Sequence, residues 1–598
     1  MLTGGAAAGP VPRRARRHRG WGLAVGVLLA GALGLRLWGI GHGLPYVYNT
    51  DENAHFVPQA IGLFGHGLHP HYFVNPPGFT YVLHGVFTLW FGSREEVGAA
   101  YASDPEQVFV LARVTAALLG TLAVGLLYLA GARLAGRRAG FLAAALLAVA
   151  FLPVFYSHLA LNDVPTLVPA CLALWGVGGV LRSGRARDYA VAGLGVGLAA
   201  GTKYTGGIML VPLLGAAGMA LATPAARARA LRGLAVAAVA ALAGFLLANP
   251  YAGLDFAEFR AGLDYQSSRA GEAAGKLGTT QDSGIAYYLW TLTWGLGWAP
   301  ALAALAAPAV LWVRDRRLLV VLVPGVLAFG IFMGLQSRSF GRWALPVYPL
   351  LCLLAAAAAV HGADLLAAGR PRVRSALLAV AGVALVAQGL AASIHAGRVL
   401  SRPDTREDTR AFLVRAVPPT TVLAAATPGG ARTERVTRVV LEPVVPNAWS
   451  HDVGRPSPLV STGNRWVKFP TARDAAGLPV GIEEYVTTLH PGLIDRYEAE
   501  GYCWVVTGST QRGRAEADPA AAPRAVAYYR ELDRRGKVVH VSSPYRPGAG
   551  PVELNFDWSF NHYPRAYARP GPVMTVLRLR GGRCAGAAPG GRPATPAA

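Results

Sequence analysis

Residues 76–92, PPGFTYVLHGVFTLWFG, are apolar enough to pass for a short membrane span, and whether they cross decides the topology of everything that follows. A helix needs roughly 20 apolar residues to cross a bilayer. Runs of that kind occur at about 21–40, 108–131, 139–158, 164–181, 188–202, 206–222, 233–249, 286–312, 318–335, 343–366 and 375–395. Arginines mark the connections. RRARRHR precedes the first run, and the alternate connections carry Arg133/Arg137/Arg138, Arg182/Arg185/Arg187, Arg227/Arg229/Arg232, Arg314/Arg316/Arg317 and Arg370/Arg372/Arg374. Positive charge collects on the cytoplasmic side. Eleven spans, with residues 1–20 inside and the C-terminal region outside, put all these clusters on one side. A crossing at 76–92 would swap every later cluster, so this segment is expected to lie in the interface or to re-enter.

The chain of 598 residues is 53% hydrophobic and only 15% charged, which points to a protein that mostly faces lipid. Its formal net charge of +23 falls in short clusters between apolar runs. A nucleic-acid partner is therefore not expected, because such a binder gathers its charge on one face with interleaved aromatics. No small-residue cleavage site follows the first run, so it is expected to stay as an anchor. No tandem repeat is evident, and the Ala, Gly and Leu richness is membrane composition that lets helices pack closely.

On this topology the extracytoplasmic side carries a first loop at 41–107, a second large loop at 250–285 and short turns near 159–163, 203–205 and 336–342. The region from 396 onward changes character. REDTRAFLVRAV is helix-like, and TTVLAAA, RVTRVVLEPVV, GYCWVVTGS, KVVHVSS and VMTVLRLR are strand candidates. A compact α/β domain over 396–584 is expected, followed by a disordered tail at 585–598. The fold class is thus mostly α, with about 11 transmembrane helices occupying 21–395. Cys171 and Cys352 lie in apolar runs, while Cys503 and Cys584 lie in the polar C-terminal region and pair only if that region is outside the cytoplasm.

The informative polar residues stand at the outer ends of the spans. Asp51 and Glu52 follow the first, Asp163 follows Asn162 after the third, Lys203 and Tyr204 follow the fifth, and Arg338 and Arg342 lie between the ninth and tenth. Carboxylates on two outer loops suit a hard divalent cation, whereas Asp163 alone would be a helix N-cap ahead of Pro165. The basic groups suit a phosphate, although Lys203 alone would snorkel to the interface. His55 lies four residues after Asp51 and would share its face on a helix, flanking the same metal. His66, His69 and His71 crowd one segment of the first loop as interfacial polar groups. DExxH lacks the paired histidines of a zinc protease helix. The aromatics Tyr72, Phe73, Phe79, Tyr81, Trp90, Tyr287, Tyr288, Trp290, Trp294 and Trp298 suit interfacial belts or the wall of a lipid groove.

The order of these features (DE after the first span, NPPGFTYVL in the first loop, ND after the third span, GTKYT after the fifth, RWALPVYPLL late in the chain) resembles the polyprenyl-phosphate-sugar-dependent glycosyltransferases of the GT-C fold. Their bacterial relatives of protein O-mannosyltransferase and of lipid A aminoarabinose transferase are the nearest branch. The resemblance covers roughly residues 20–395. It implies a membrane glycosyltransferase that moves a sugar from a polyprenyl-phosphate donor to a hydroxyl on a protein, lipid or cell-envelope glycan. It also implies Asp51 as general base with Glu52 sharing the role, and Asp163 as a site carboxylate. Asp51 and Asp163, with His55, would hold a divalent metal (Mg, Mn or Zn). Lys203, Arg342 and Arg338 would meet the donor phosphate. Related transferases often carry lysine before the paired prolines, where this chain has Asn75, so that contact is lost or moved to Lys203. Direct displacement at the anomeric carbon would invert it. A transporter or lipid flippase is the alternative, but transporters usually place ionisable groups near the midplane, and a scaffold protein would leave these motifs unexplained.

Overall fold

A computed structural model describes residues 13–65, 67–271, 283–417, 420–423, 433–443, 465–470, 485–552 and 563–585. His66 and tail residues 586–598 lie outside the described residues. Each of the eleven apolar runs is helical: Arg13–Leu37, Pro105–Leu134, Arg137–Val149 with Phe151–Tyr156, Leu167–Ser183, Ala186–Thr202, Tyr204–Leu221, Pro224–Ala248, Gly284–Arg314, Arg316–Gly334, Gly341–Leu366 and Pro371–Leu400. Among the described residues, eight candidate spans are long and apolar enough to cross a membrane. The other three runs form shorter or broken helices, and two of these are 17 residues long. The chain is a multi-pass membrane protein. Its last span runs five residues past the expected boundary at 395, because nothing in ASIHAGRVL stops a helix before Ser401.

Gly341–Leu366 is the central helix, with 89% of its most apolar window buried, against 11% for Gly20–Leu37 at the periphery. Between helices no hydrophobic force acts in lipid, so close contact depends on small side chains. A Cβ on Gly193 would meet Ala237 O at 2.1 Å, and one on Gly197 would meet Ala241 O at 1.9 Å, which fixes the fifth span directly on the seventh.

The third span breaks at Ala150, whose ψ is 133°. Pro153 has no N–H to give Val149 O, and Ser393 Oγ donates to that carbonyl instead at 2.8 Å. Arg36, 1% exposed, donates to Ala148 O at 3.0 Å and Leu147 O at 3.1 Å, capping the first half of the broken helix with a cation where its dipole is negative. The break lets Phe151–Tyr156 turn toward the loop that carries Asp163.

Residues 76–92 form the helix Gly78–Phe91, 14 residues and about 21 Å long, too short to span. Phe79, Leu83 and Phe87 are fully buried, while Leu89 is 90% and Trp90 64% exposed, so the helix has one packed and one open face. At its start, a Cβ on Gly78 would stand 2.7 Å from Gly201 O, so the helix begins directly against the end of the fifth span.

The C-terminal region has a helix at Thr405–Ala416 and a sheet of β1 (Thr420–Leu423), β2 (Thr433–Leu441), β3 (Arg465–Lys468), β4 (Trp504–Gly508), β5 (Gly536–Ser542) and β6 (Met574–Leu579). β2 pairs antiparallel with β1 and parallel with β3 and β4; β6 lies antiparallel between β4 and β5. The five strand candidates all form, and β3 is an addition of four residues, too short to show a pattern. Cys503 and Cys584 are disulfide-bonded.

Glu442 is 1% exposed and accepts from Gly508 N–H at 2.8 Å and from the Tyr529 hydroxyl at 2.7 Å. Burial pushes its carboxyl up to about 7 from the model-compound 4.5. The folded chain therefore holds this proton more tightly than the unfolded chain. The stabilisation is complete below pH 4.5 and is lost as pH rises through 7. Between pH 5 and 8 this group is expected to cost about 2–4 kcal/mol, and Glu442→Gln should flatten that part of the melting-temperature profile of the full chain. An unchanged slope would show that the proton is not held there.

Candidate active site

Four connections meet at one end of the bundle. After the first span, Asn49 Oδ1 accepts the Glu52 N–H at 3.0 Å and starts a short helical stretch at Thr50, with Asp51 next. Residues Glu52–Phe56 then take a wider, π-type turn. Asp163 follows the broken third span, and Asn162 beside it donates to Thr202 O at 2.9 Å, which ties this loop to the end of the fifth span. There the helix stops at Thr202, Lys203 is extended, and a 3-10 turn starts at Tyr204. Arg342 lies in the 3-10 turn Gly341–Val347 that opens the tenth span.

The side chains alternate in sign. Arg342 Nη2 donates to Asp51 Oδ2 at 2.6 Å, Arg342 Nε stands 3.9 Å from Asp163 Oδ2, and Lys203 Nζ donates to Asp163 Oδ1. Asp163 is 3% exposed, Lys203 10%, Arg342 16% and Asp51 37%, so Asp51 is the member most open to an incoming group. Arg342 and Arg338 both lie over the Phe340 ring, at 4.7 and 5.3 Å from its centre, which keeps the two cations near each other. Tyr156, on the second half of the broken span, lies beside Arg342.

Glu52 is not brought into this cluster. It is fully buried, with Arg113 Nε on Oε1 at 2.7 Å, Arg113 Nη2 on Oε2 at 2.8 Å and the Ala160 N–H on Oε1 at 2.9 Å. Arg113 also donates to Ile40 O at 2.9 Å and His42 O at 2.8 Å. This network bolts the Asp51 loop to the second span and to the loop that leads into Asp163. An isolated arginine inside VFVLARVTAALL is the sequence signal for it, since a charge at membrane depth demands a partner.

The expected metal set is also rearranged. His55 stacks on Tyr72 at 4.9 Å, and the Tyr72 hydroxyl accepts from Asn75 Nδ2 at 3.0 Å. Asp51, Asp163 and His55 do not form a ligand group among the described residues; the group that does form is His69, His71 and Glu258. Charge explains the difference. Two carboxylates already balanced by Lys203 and Arg342 have no surplus negative charge for a dication, while the same quartet with Arg338 carries a net positive charge. Burial first, and then the nearby Asp51 carboxylate, push the Tyr72 phenol up to about 12 against the lowering effect of the Asn75 hydrogen bond, which leaves it a neutral wall beside Asp51.

At the opposite end, Arg133 Nη1 lies 3.6 Å from Asp188, and Arg182 donates to Ala132 O at 3.1 Å, so two of the arginine-rich connections meet there, away from the quartet.

The apo crystal structure of the Archaeoglobus fulgidus oligosaccharyltransferase superposes on this chain with a TM-score of 0.50 at 13% identity, covering 94% of this chain and 89% of that one. The fold is the GT-C fold. Residues 106–251, a stretch that includes Asp163 and Lys203, match the family described as Dolichyl-phosphate-mannose-protein mannosyltransferase. Also similar in structure are ArnT from Cupriavidus metallidurans bound to undecaprenyl phosphate (14% identity, 92% and 97% of the two chains, TM-score 0.47) and the mycobacterial arabinofuranosyltransferase AftD (15%, 94% and 40%, TM-score 0.40). Among curated proteins, none matches the sequence.

Proposed function

We propose that this chain transfers a sugar from a polyprenyl-phosphate donor to a hydroxyl acceptor, by inverting displacement, on the extracytoplasmic face. The observation that carries this reading is the convergence of Asp51, Asp163, Lys203 and Arg342 from four separate connections at one end of a GT-C bundle. Donors bound by its structural neighbours point the same way, since ArnT was solved with undecaprenyl phosphate and the archaeal oligosaccharyltransferase AglB with dolichol phosphate. The sugar is a hexose or a pentose, and the acceptor a protein, lipid or envelope glycan.

The chemistry divides the quartet. The acceptor oxygen attacks the anomeric carbon and its proton passes to Asp51, the most open carboxylate. The bond from the anomeric carbon to the phosphate oxygen breaks, and the electron pair leaves on that oxygen. Arg342, Lys203 and Arg338 take up the charge that grows there. Asp163, held between Lys203 and Arg342, keeps the two cations apart and aimed. Glu52 positions the Asp51 loop through Arg113. No step needs a metal at this site.

Orientation is supported by the meeting of the Arg133 and Arg182 connections away from the quartet and by the Cys503–Cys584 disulfide, which fits an oxidising compartment. The C-terminal region that follows the last span touches the catalytic loop: Arg406 lies over the Tyr48 ring at 3.6 Å, and Tyr46 is buried in the core around the sheet. Those contacts lie just before Asp51 and suit a domain that presents the acceptor. A transporter would use charges at mid-membrane, not a compensated quartet at one face.

The test is reconstitution of the full chain in liposomes with polyprenyl-phosphate hexoses and pentoses, paired with mass spectrometry of glycolipids and glycoproteins from a deletion strain. Release of polyprenyl phosphate together with a new glycoside is expected. Movement of intact donor without bond cleavage would support transport instead.

A further inference from the structure

We propose that His69, His71, Asp255 and Glu258 form a binding site for a first-row divalent transition cation, best matched by zinc, that clasps the first extracytoplasmic loop to the second. The site is separate from the quartet and stands without the transferase reading.

The donors come from two distant stretches. His69 Nε2 lies 3.3 Å from Asp255 Oδ2 and 3.6 Å from Glu258 Oε2, and His71 Nδ1 lies 3.4 Å from the same Glu258 oxygen. The His69, His71 and Glu258 donors all fall within 4.8 Å of one another. Zinc holds nitrogen and carboxylate oxygen at about 2.0–2.1 Å in a tetrahedron, whose edges are then about 3.4 Å. The three measured separations match that edge. Two neutral imidazoles and two carboxylates carry the charge that a dication balances, and the mixed N and O set favours zinc over magnesium, which prefers oxygen alone.

Local structure supports the arrangement. Asp255 Oδ1 accepts the Glu258 N–H at 3.1 Å, capping the helix Phe256–Gly271, which leaves Oδ2 for His69 and sets Glu258 on the same first turn. His71 has a φ of +47°, a left-handed backbone that brings its ring back against His69. The two rings stack at 3.8 Å, and the His71 N–H donates to His69 Nδ1 at 3.1 Å. Loading through Nε2 puts the proton on Nδ1, so this exposed contact opens and the His71 ring, 61% exposed, rotates toward the ion.

The clasp sits beside the catalytic wall. Phe73 O accepts from the Tyr204 hydroxyl at 2.8 Å, and a Cβ on Gly262 would stand 2.7 Å from the Phe73 side chain, so both loops and the Lys203 corner share this strand of chain. Tyr72, next in line, stacks on His55. Fixing residues 69–73 therefore fixes that wall.

Chelator-treated full chain in nanodiscs, titrated with Zn²⁺ by calorimetry and checked by elemental analysis, is expected to take one ion per chain and to gain melting temperature. His71→Ala and Glu258→Gln, at exposed or half-exposed positions that tolerate change, should each weaken binding by about 100-fold or more and lose the gain. Asp51→Asn, which keeps the fold, should leave zinc binding unchanged, and Mg²⁺ should not compete. No stoichiometric uptake, or uptake that survives both clasp variants, overturns the site, as does uptake lost in Asp51→Asn. A chain that transfers sugar yet binds no zinc overturns the clasp alone, and one that binds zinc yet transfers no sugar leaves the clasp standing without the transferase reading.

Discussion

Asp51→Asn is expected to lower sugar transfer by about 10³-fold while leaving insertion, folding and the donor KM close to those of the parent chain. A positioned general base contributes about 10²–10⁴-fold, and asparagine keeps the size of the side chain and one oxygen for Arg342 Nη2, which donates to Asp51 at 2.6 Å. What is lost is the place for the acceptor's proton. Because the side chain is 37% exposed, the substitution leaves no buried charge stranded, so the loss should appear in kcat with single-turnover kinetics. Transfer within about tenfold of the parent rate would remove Asp51 from the role of base. Glu52→Gln should behave differently. It weakens a buried, two-pronged ion pair to Arg113, so it should reduce the amount of folded chain before it reduces chemistry.

That contrast marks where the sequence was legible. The eleven apolar runs all became helices, because length and composition alone decide whether a segment suits a bilayer. Residues 76–92 form a helix of only 14 residues with one buried and one exposed face, a length that composition alone could not give. Asp51, Asp163, Lys203 and Arg342 share an end because a chain that crosses strictly back and forth leaves alternate connections together. Adjacency was harder to read. Asp51 and Glu52 are neighbours in sequence, yet the helical start at Asn49 sends one to the quartet and the other into the protein toward Arg113, 61 residues away. Arg36 and Arg113 had a signal, a lone cation in an apolar run, but their partners are backbone carbonyls and a distant acid that no local pattern reveals. The metal set was the hardest part to read: the cations expected to face the donor also lie against the carboxylates expected to hold an ion. His69 and His71 were visible as a histidine-rich stretch, but Asp255 and Glu258, which complete their cluster, lie across a separate loop.

Arg342→Gln is expected to reduce kcat/KM for the polyprenyl-phosphate sugar by about 10³-fold, with the acceptor KM little changed, since one lost donor to a developing oxyanion costs about 10²–10³-fold and the donor's ground-state phosphate loses the same cation. Arg342→Lys should recover only part of this. A lysine is a point charge, whereas the guanidinium reaches Asp51 and Asp163 with different nitrogens, at 2.6 and 3.9 Å. The rival reading is that Arg342 acts only by holding Asp51 in place. A double-mutant cycle separates the two. If Arg342 merely orients the base, then in an Asp51→Asn background its removal should cost almost nothing more, because there is no base left to orient. If it takes up charge on the leaving phosphate, the second substitution should still cost at least about tenfold, and that residual cost should vanish with an activated donor whose leaving group carries less charge in the transition state. Lys203→Met provides the control. It strands Asp163, which is 3% exposed, so its penalty should be largest in the amount of folded chain, where removing one partner of a buried pair costs about 3–5 kcal/mol. An Arg342 variant that loses folding to the same degree, with the remaining folded fraction fully active, would make the quartet a structural clamp and move the phosphate site elsewhere.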